Sequence, residues 1–331
     1  MRIGIIGAGA LGGTFAALLD RVGHDVVVTA RGEQLDAIRA RGLRLEGAYG
    51  EAVAKVTAEP ALQAVPELAL LAVKAQDAPA AAAQNAAMLA RVPVVVVQNG
   101  IRGPQSLAAA LPTSPLIGAS SMIAASFLTP GVVTVTAAGV TVLARGSATL
   151  LDLGRAAAVL GAVAEVRVAA DLAGLQWSKL VVNQLNAAPA ITGLALQEAL
   201  ASGPLTVALA AAMRETIRVA RAAGVRLEGL PALSPRLIST LDRLPLPLAA
   251  RVLRRGVLER MGDVPNPGST LQSIRRGRPT EIDHLSGAVV ETGARLHVPT
   301  PVNRRLVDLV HEVESTGSFL PPDEAARRLL T

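Results

Sequence analysis

The sequence predicts an α/β chain in two parts, a doubly wound sheet over residues 1–169 and an all-helical region over 170–331. Three observations predict it. An apolar run, Ile3-Gly-Ile5-Ile6, leads into Gly7-Ala8-Gly9-Ala10-Leu11-Gly12 and then into an amphipathic stretch ending near Val22. Apolar runs and helical stretches then alternate to about residue 168, the pattern of a βαβ-wound, mostly parallel sheet. From about residue 170 the strand signals vanish and helical periodicity dominates.

The first strand is expected at 2–7. Gly7 and Gly9 let the chain turn sharply and bring backbone N–H groups close to a pyrophosphate, and Gly12 lets the following helix pack on the strand. The helix start, with its unsatisfied N–H groups and dipole, favours an anion. A second strand at 25–30 completes the context that separates this Rossmann-type turn from a chance glycine pattern. Further strands are expected at 67–73, 93–98 and 115–119. Segments 132–136 and 139–144, on either side of Ala137-Ala138, read as a hairpin, and 164–169 as a last strand. The alanine-rich tracts 78–90 and 199–212 read as helices. Helical periodicity covers 170–195, 203–223, 233–242, 246–261, 269–276, 280–296 and 302–314, punctuated by Gly224, Pro231, Pro245, Pro247, Pro265, Pro267 and Pro299. The boundary between the parts is expected near 169–172, and there is no internal repeat.

The 331 residues suffice for two full cores. Mean hydropathy is +0.43, much of it from alanine, and no apolar run approaches the ~20 residues of a membrane span. Met1 is expected to enter the first strand directly, and no signal peptide is expected. Absence of cysteine excludes disulfides, thiolate metal sites and cysteine nucleophiles. A cytoplasmic protein that needs no metal is the expectation. The net charge of +6 does not imply nucleic acid, because basic residues are spread along the chain and aromatics make up only 2%. Of 32 basic residues only Lys55, Lys74 and Lys179 are lysines, so each is a candidate for a role that needs a titratable amine.

Arg31 stands where dinucleotide sites that bind NAD usually carry Asp or Glu. A guanidinium suits a 2′-phosphate, pointing to NADP(H), although Arg31 is also readable as one more solvated arginine. Lys74 and Gln98-Asn99-Gly100 lie just past the carboxyl ends of two expected strands, where open α/β sheets bind ligands. The alternative there is a helix-start lysine and an ordinary Asn-Gly turn. Lys179, Asn183 and Asn186 share one stripe of a half-buried helix among Leu180, Val181, Val182 and Leu185. A partly buried lysine has a lowered pKa suited to protonating a carbonyl oxygen, against the alternative of a rim lysine. Asn266-Pro-Gly-Ser269 and Thr280-Glu281-Ile-Asp283 form a third cluster, in which Ser269 and Thr280 can equally be helix caps. His24, His284, His297 and His311 have no metal or triad spacing and read as structural.

Together these motifs resemble the ketopantoate reductase (2-dehydropantoate 2-reductase) family over nearly the whole chain. They are Gly7-Ala-Gly9-Ala-Leu-Gly12, Arg31-Gly-Glu, Lys74, Gln98-Asn99-Gly100, Lys179-Leu-Val-Val-Asn183, Ser269-Thr-Leu-Gln and Gly277-Arg-Pro-Thr-Glu281-Ile-Asp283. The resemblance implies NADPH-dependent reduction of a small 2-oxo acid, 2-dehydropantoate to pantoate for pantothenate synthesis, in a cleft between a Rossmann domain and a helical domain. It implies Lys179 as proton donor and Asn99, Asn183, Asn186, Asn266 and Ser269 as further substrate contacts. The glycine turn from Gly7 to Gly12, Arg31, Lys74, Asn99, Ala125 and Glu281 would serve the cofactor, with Glu281 closing the site. The chain departs from many relatives at Met122–Ala125, Ala187 and Ser273, all implied to border the substrate pocket. The alternatives are a reductase of another 2-oxo acid or an imine, or a protein that only senses NADP(H). A sensor has no need of Lys179, Ser269 and Glu281 together. No nucleic-acid or membrane partner is expected, and a homodimer is left open.

Overall fold

A computed structural model describes residues 1–230, 233–259 and 265–331. The chain divides into two compact units, Met1–Leu172 and Ala173–Thr331, three residues beyond the expected break at 169/170.

The first unit runs β1 (Arg2–Ile6), α1 (Ala10–Arg21), β2 (Asp25–Thr29), α2 (Gly32–Arg41), β3 (Leu43–Gly47), β4 (Ala52–Ala54), β5 (Thr57–Glu59), β6 (Leu68–Leu71), α3 (Ala78–Leu89), β7 (Val94–Val97), α4 (Gly103–Leu107), β8 (Leu116–Ser121), β9 (Ala124–Ser126), β10 (Val132–Ala137), β11 (Thr141–Arg145), α5 (Leu150–Gly161) and β12 (Val166–Ala169). An eight-stranded sheet has the order β12, β11, β8, β7, β6, β1, β2, β5. Its strands from β5 to β8 are parallel, and β11 runs antiparallel to β8. The central strands are apolar throughout because both faces are covered: Ile3, Ile5, Leu68, Leu70, Val94 and Val95 are fully buried.

The expected hairpin of 132–136 with 139–144 does not form. β11 pairs with β8, Thr141 opposite Ser121. β10 leaves for a second, four-stranded sheet of order β4, β3, β10, β9, where Val132–Val135 pair in parallel with Arg44–Gly47. That sheet packs on α1, and its β3, β4 and β9 had no counterpart among the expected strands.

The second unit contains α6 (Leu172–Asn183) from its second residue on, a 3-10 turn Gln184–Asn186, α7 (Ala187–Thr192), α8 (Leu196–Ala199), α9 (Gly203–Ala222), α10 (Pro235–Arg243), α11 (Leu246–Leu258), α12 (Gly268–Arg275), a 3-10 turn Ile282–His284, α13 (Ser286–Arg295), α14 (Pro301–Thr316) and α15 (Pro322–Leu330). The single helix expected over 170–195 is therefore broken. Pro189 has no N–H for the Leu185 carbonyl and its ring clashes there in a continuous helix, so the chain tightens at 184–186 and restarts. Pro231 and the expected helix end at 260–261 lie outside the described residues. Helix α9 is the hub, packing against α10, α11, α13, α14 and α15. Its buried Glu215 accepts hydrogen bonds from the Val302 and Asn303 N–H groups, both at 2.9 Å, and so anchors the start of α14. Among the described residues no helix is long and apolar enough to cross a membrane.

Candidate active site

In the first unit the chain goes from β1 to β2 on one side, then returns to β6 on the other, so a topological switch point lies at the carboxyl ends of β1 and β6. The glycine turn is built there. Gly7 has φ +100°, and a Cβ on it would sit 2.5 Å from Val73 Cγ1. A Cβ on Gly12 would sit 2.0 Å from the Gly7 carbonyl oxygen, so the helix can approach the strand only without one. Gly9 is the N-cap of α1 with no side-chain cap, and nothing lies within 4 Å of where its Cβ would be. The first-turn N–H groups of Ala10, Leu11 and Gly12 therefore lack intrahelical acceptors beside an open approach. Thr29 steadies the turn, its Oγ1 accepting from Gly7 N at 3.1 Å and its carbonyl from Ala8 N at 3.0 Å.

The same turn borders a pocket of about 310 Å³ lined also by Arg31, Asp77 and Gln84. Arg31 is exposed and donates to Gln84 Oε1 at 2.5 Å. Lys74 is the N-cap of a 3-10 turn directly beyond β6, and Asn99 follows β7. Gln98 Nε2 donates to the Val73 carbonyl at 3.2 Å, which ties these two loops to one sheet edge. Ala125 lies in β9 of the small sheet, opposite Val135.

In the second unit Lys179 and Asn183 lie one turn apart on α6. Leu175, Ser178, Leu180 and Val181 around them are fully buried, and Asn183 is 4% exposed. Lys179 keeps part of its surface open. Burial nevertheless desolvates its amine and lowers its pKa from 10.5 to about 8. An amine with that pKa is mostly protonated at neutral pH and yet gives up its proton readily. It can act as a general acid.

Asn186 follows in the 3-10 turn, against which α12 packs. Gly268 opens α12 at φ +66°, where its Cβ would lie 3.2 Å from Asn186 Oδ1. The N-cap of α12 is Pro267, not Ser269, with no side-chain cap, and Asn266 Oδ1 just before it accepts from Gly268 N at 2.9 Å. Ser269 is exposed in the first turn of α12, with its hydroxyl not spent on capping. Asn186, Asn266 and Ser269 are thus brought to one end of α12. Thr280 Oγ1 accepts from Ile282 N at 3.2 Å, one residue ahead of the 3-10 turn's N-cap Glu281, so Thr280 is not the expected helix cap. Glu281 sits in this turn, which α14 holds from two sides. Thr280 N donates to Glu314 Oε1 at 2.7 Å, and His311 bridges Glu314 Oε2 at 2.7 Å and Asp283 Oδ1 at 3.0 Å. Desolvation opposes protonation of His311, but the hydrogen bonds to Asp283 and Glu314 outweigh it and raise its pKa.

Two supporting residues were not legible as such. Buried Gln34 on α2 donates to the Ala8 carbonyl at 2.7 Å and accepts from Gly131 N at 2.6 Å, clamping the glycine turn. Gln197 Oε1 accepts from Asn266 N at 3.0 Å and fixes the loop before α12. Neither has a sequence signal, since glutamine is ordinary on exposed helix faces.

The first unit thus carries an open glycine turn at its sheet edge, and the second a desolvated lysine of lowered pKa. Residues 3–148 match the family described as "Ketopantoate reductase PanE/ApbA", and residues 171–314 match its C-terminal counterpart. The chain belongs to the ketopantoate reductase family. It is 30% identical to the 2-dehydropantoate 2-reductase of Archaeoglobus fulgidus, with 95% of this chain and 98% of that one covered. A crystal structure of a PanE/ApbA family ketopantoate reductase from Ralstonia eutropha JMP134 superposes with a TM-score of 0.80 at 30% identity, covering 95% of this chain and 99% of that one. D-mandelate dehydrogenase with NADH and anilino(oxo)acetate shares the fold, with a TM-score of 0.80 at 22% identity and 97% and 100% coverage. Ketopantoate reductases use NADPH. The uncapped α1, the open space at Gly9 and the cationic Arg31 on the adjoining pocket fit its pyrophosphate and 2′-phosphate.

Proposed function

We propose that the chain reduces 2-dehydropantoate (ketopantoate) to pantoate with NADPH, the reaction that serves pantothenate synthesis. The observation that carries this reading is Lys179, an amine with its pKa lowered to about 8, one helical turn from Asn183 in a chain of this family. When bound, NADPH supplies the hydride for the ketone carbon. Lys179 gives its proton to the carbonyl oxygen as the carbon is reduced, and its cationic form stabilises the developing alkoxide. Asn183, Asn186, Asn266 and Ser269 orient the acid, Ser269 toward the carboxylate, and Asn99 touches substrate and cofactor. Gly7 to Gly12, Arg31, Lys74, Ala125 and Glu281 hold the cofactor, with Glu281 closing the site. In this reading the first unit is the NADP-binding domain and the second the substrate domain. A cytoplasmic location belongs to the same reading and accords with the absence of cysteine.

Ketopantoate presents a carboxylate, a ketone and a terminal hydroxyl around a gem-dimethyl carbon. A site that hydrogen-bonds the hydroxyl rejects an analogue without it far more strongly than a site can reject a missing methylene. NADPH oxidation by purified protein against a panel of 2-oxo acids and imines tests the reading. Turnover confined to a different acid or an imine leaves the reductase and removes the named substrate. Tight NADPH binding with no turnover on any member is the sensor outcome. Light scattering decides between monomer and homodimer.

A further inference from the structure

The pocket beside the glycine turn has a second wall that the motifs do not announce. Asp77, Ala80, Ala81, Gln84 and Asn85 line it, at offsets of three, four, seven and eight residues from Asp77. Those offsets are one face of a helix, and the residues belong to α3 and the turn that leads into it. The two alanines leave that face flat. Asn85 is buried and committed to the fold, accepting from Leu62 N and donating to the Ala81 carbonyl, both at 2.8 Å. Gln84 is different. It is exposed, and its Oε1 accepts from Arg31 Nη2 at 2.5 Å while its Nε2 reaches the Pro60 carbonyl at 3.4 Å. Arg31 is the one cation among the described residues lining this pocket.

We propose that Gln84 is a specificity-determining positioning residue: it holds the Arg31 guanidinium at the pocket for a 2′-phosphate, so the preference for NADP(H) over NAD(H) belongs to the pair. This rests on the reading of Arg31 as the phosphate partner. An amide suits the task on two counts. It restrains a side chain that otherwise loses rotamer freedom on gripping a phosphate. Unlike a carboxylate, it leaves the guanidinium charge unneutralised for the incoming anion.

Calorimetric titration with 2′,5′-ADP and 5′-AMP, which differ only in the 2′-phosphate, tests this on the intact protein without turnover. Wild type is expected to prefer 2′,5′-ADP, and Arg31→Ala to abolish the preference. Gln84→Leu should weaken 2′,5′-ADP binding about three- to tenfold, the range of one hydrogen bond, with 5′-AMP unchanged. Gln84→Glu should weaken it further, because its carboxylate competes with the phosphate for Arg31. In the Arg31→Ala background, Gln84→Leu should have no further effect. Unchanged 2′,5′-ADP affinity in both Gln84 variants, with the preference still lost in Arg31→Ala, overturns the role of Gln84 alone. Equal weakening of both ligands makes Gln84 a wall residue and also overturns it. A preference that survives Arg31→Ala overturns the reading of Arg31 and this inference with it.

Discussion

Replacing Lys179 by alanine removes the proton donor while leaving the glycine turn untouched, so kcat should fall by roughly 10²- to 10⁴-fold with NADPH binding nearly intact. The structure also fixes a pH signature. Burial lowers the lysine from 10.5 to about 8. The acid form is therefore about nine-tenths populated at pH 7 and about one-tenth at pH 9, from the one-unit distances either side of that value. In the reductive direction kcat/KM should be flat below pH 8 and then fall about tenfold per pH unit. An unburied lysine would hold the plateau to beyond pH 10. Binding of an anionic keto acid raises the amine's pKa, so the limb for kcat should lie at higher pH than that for kcat/KM. Steady-state NADPH oxidation from pH 6 to pH 10, with NADPH affinity measured by fluorescence, provides both readouts. A Lys179→Ala enzyme within a few-fold of wild type, or a wild-type profile flat to pH 10, would refute general-acid catalysis by this lysine.

Wild type should prefer NADPH over NADH by at least about tenfold in kcat/KM, since one charge-assisted contact is worth ~1.5–3 kcal/mol, and Arg31→Ala should erase the difference. Gly12→Ala should destabilise the first unit by about 1–3 kcal/mol in urea unfolding and weaken NADPH binding, because its Cβ would sit 2.0 Å from the Gly7 carbonyl oxygen. His311 has its pKa raised in the fold, so its stabilisation is complete below the unfolded value near 6.5 and is lost as pH rises through the folded value. The Tm of His311→Gln should accordingly fall below wild type at pH 6 and converge with it at alkaline pH; a gap independent of pH would rule out an ionic clamp.

The parts of the fold that follow from local pattern were legible. Ile3, Ile5 and Ile6 with the following glycines defined a strand, turn and helix, and Val94–Val97 could only be a buried strand. What escaped was set by non-local pairing. Ala52–Ala54 and Thr57–Glu59 are too short to carry a period, and each becomes a strand only because β3 or β2 lies alongside. Adjacent segments around Ala137-Ala138 suggested a hairpin, yet β11 pairs with β8 and β10 with β3, from more than eighty residues upstream. The break after α6 comes with Pro189, which the helical periodicity of 170–195 does not register. Among site residues, the stripe of Lys179 and Asn183 was readable at helical spacing. The start of α12 at Gly268, ahead of Ser269, was not, because it depends on the left-handed φ of Gly268.

Ketopantoate reduction by this chain is tested by comparing kcat/KM for ketopantoate and 2-oxoisovalerate with saturating NADPH. The two acids differ by the hydroxymethyl group. Ketopantoate should be turned over with an advantage of about 10²-fold or more over 2-oxoisovalerate, the scale of rejection when a hydrogen-bonding site loses its partner hydroxyl. Absence of ketopantoate turnover, or equal values for the two acids, would contradict it.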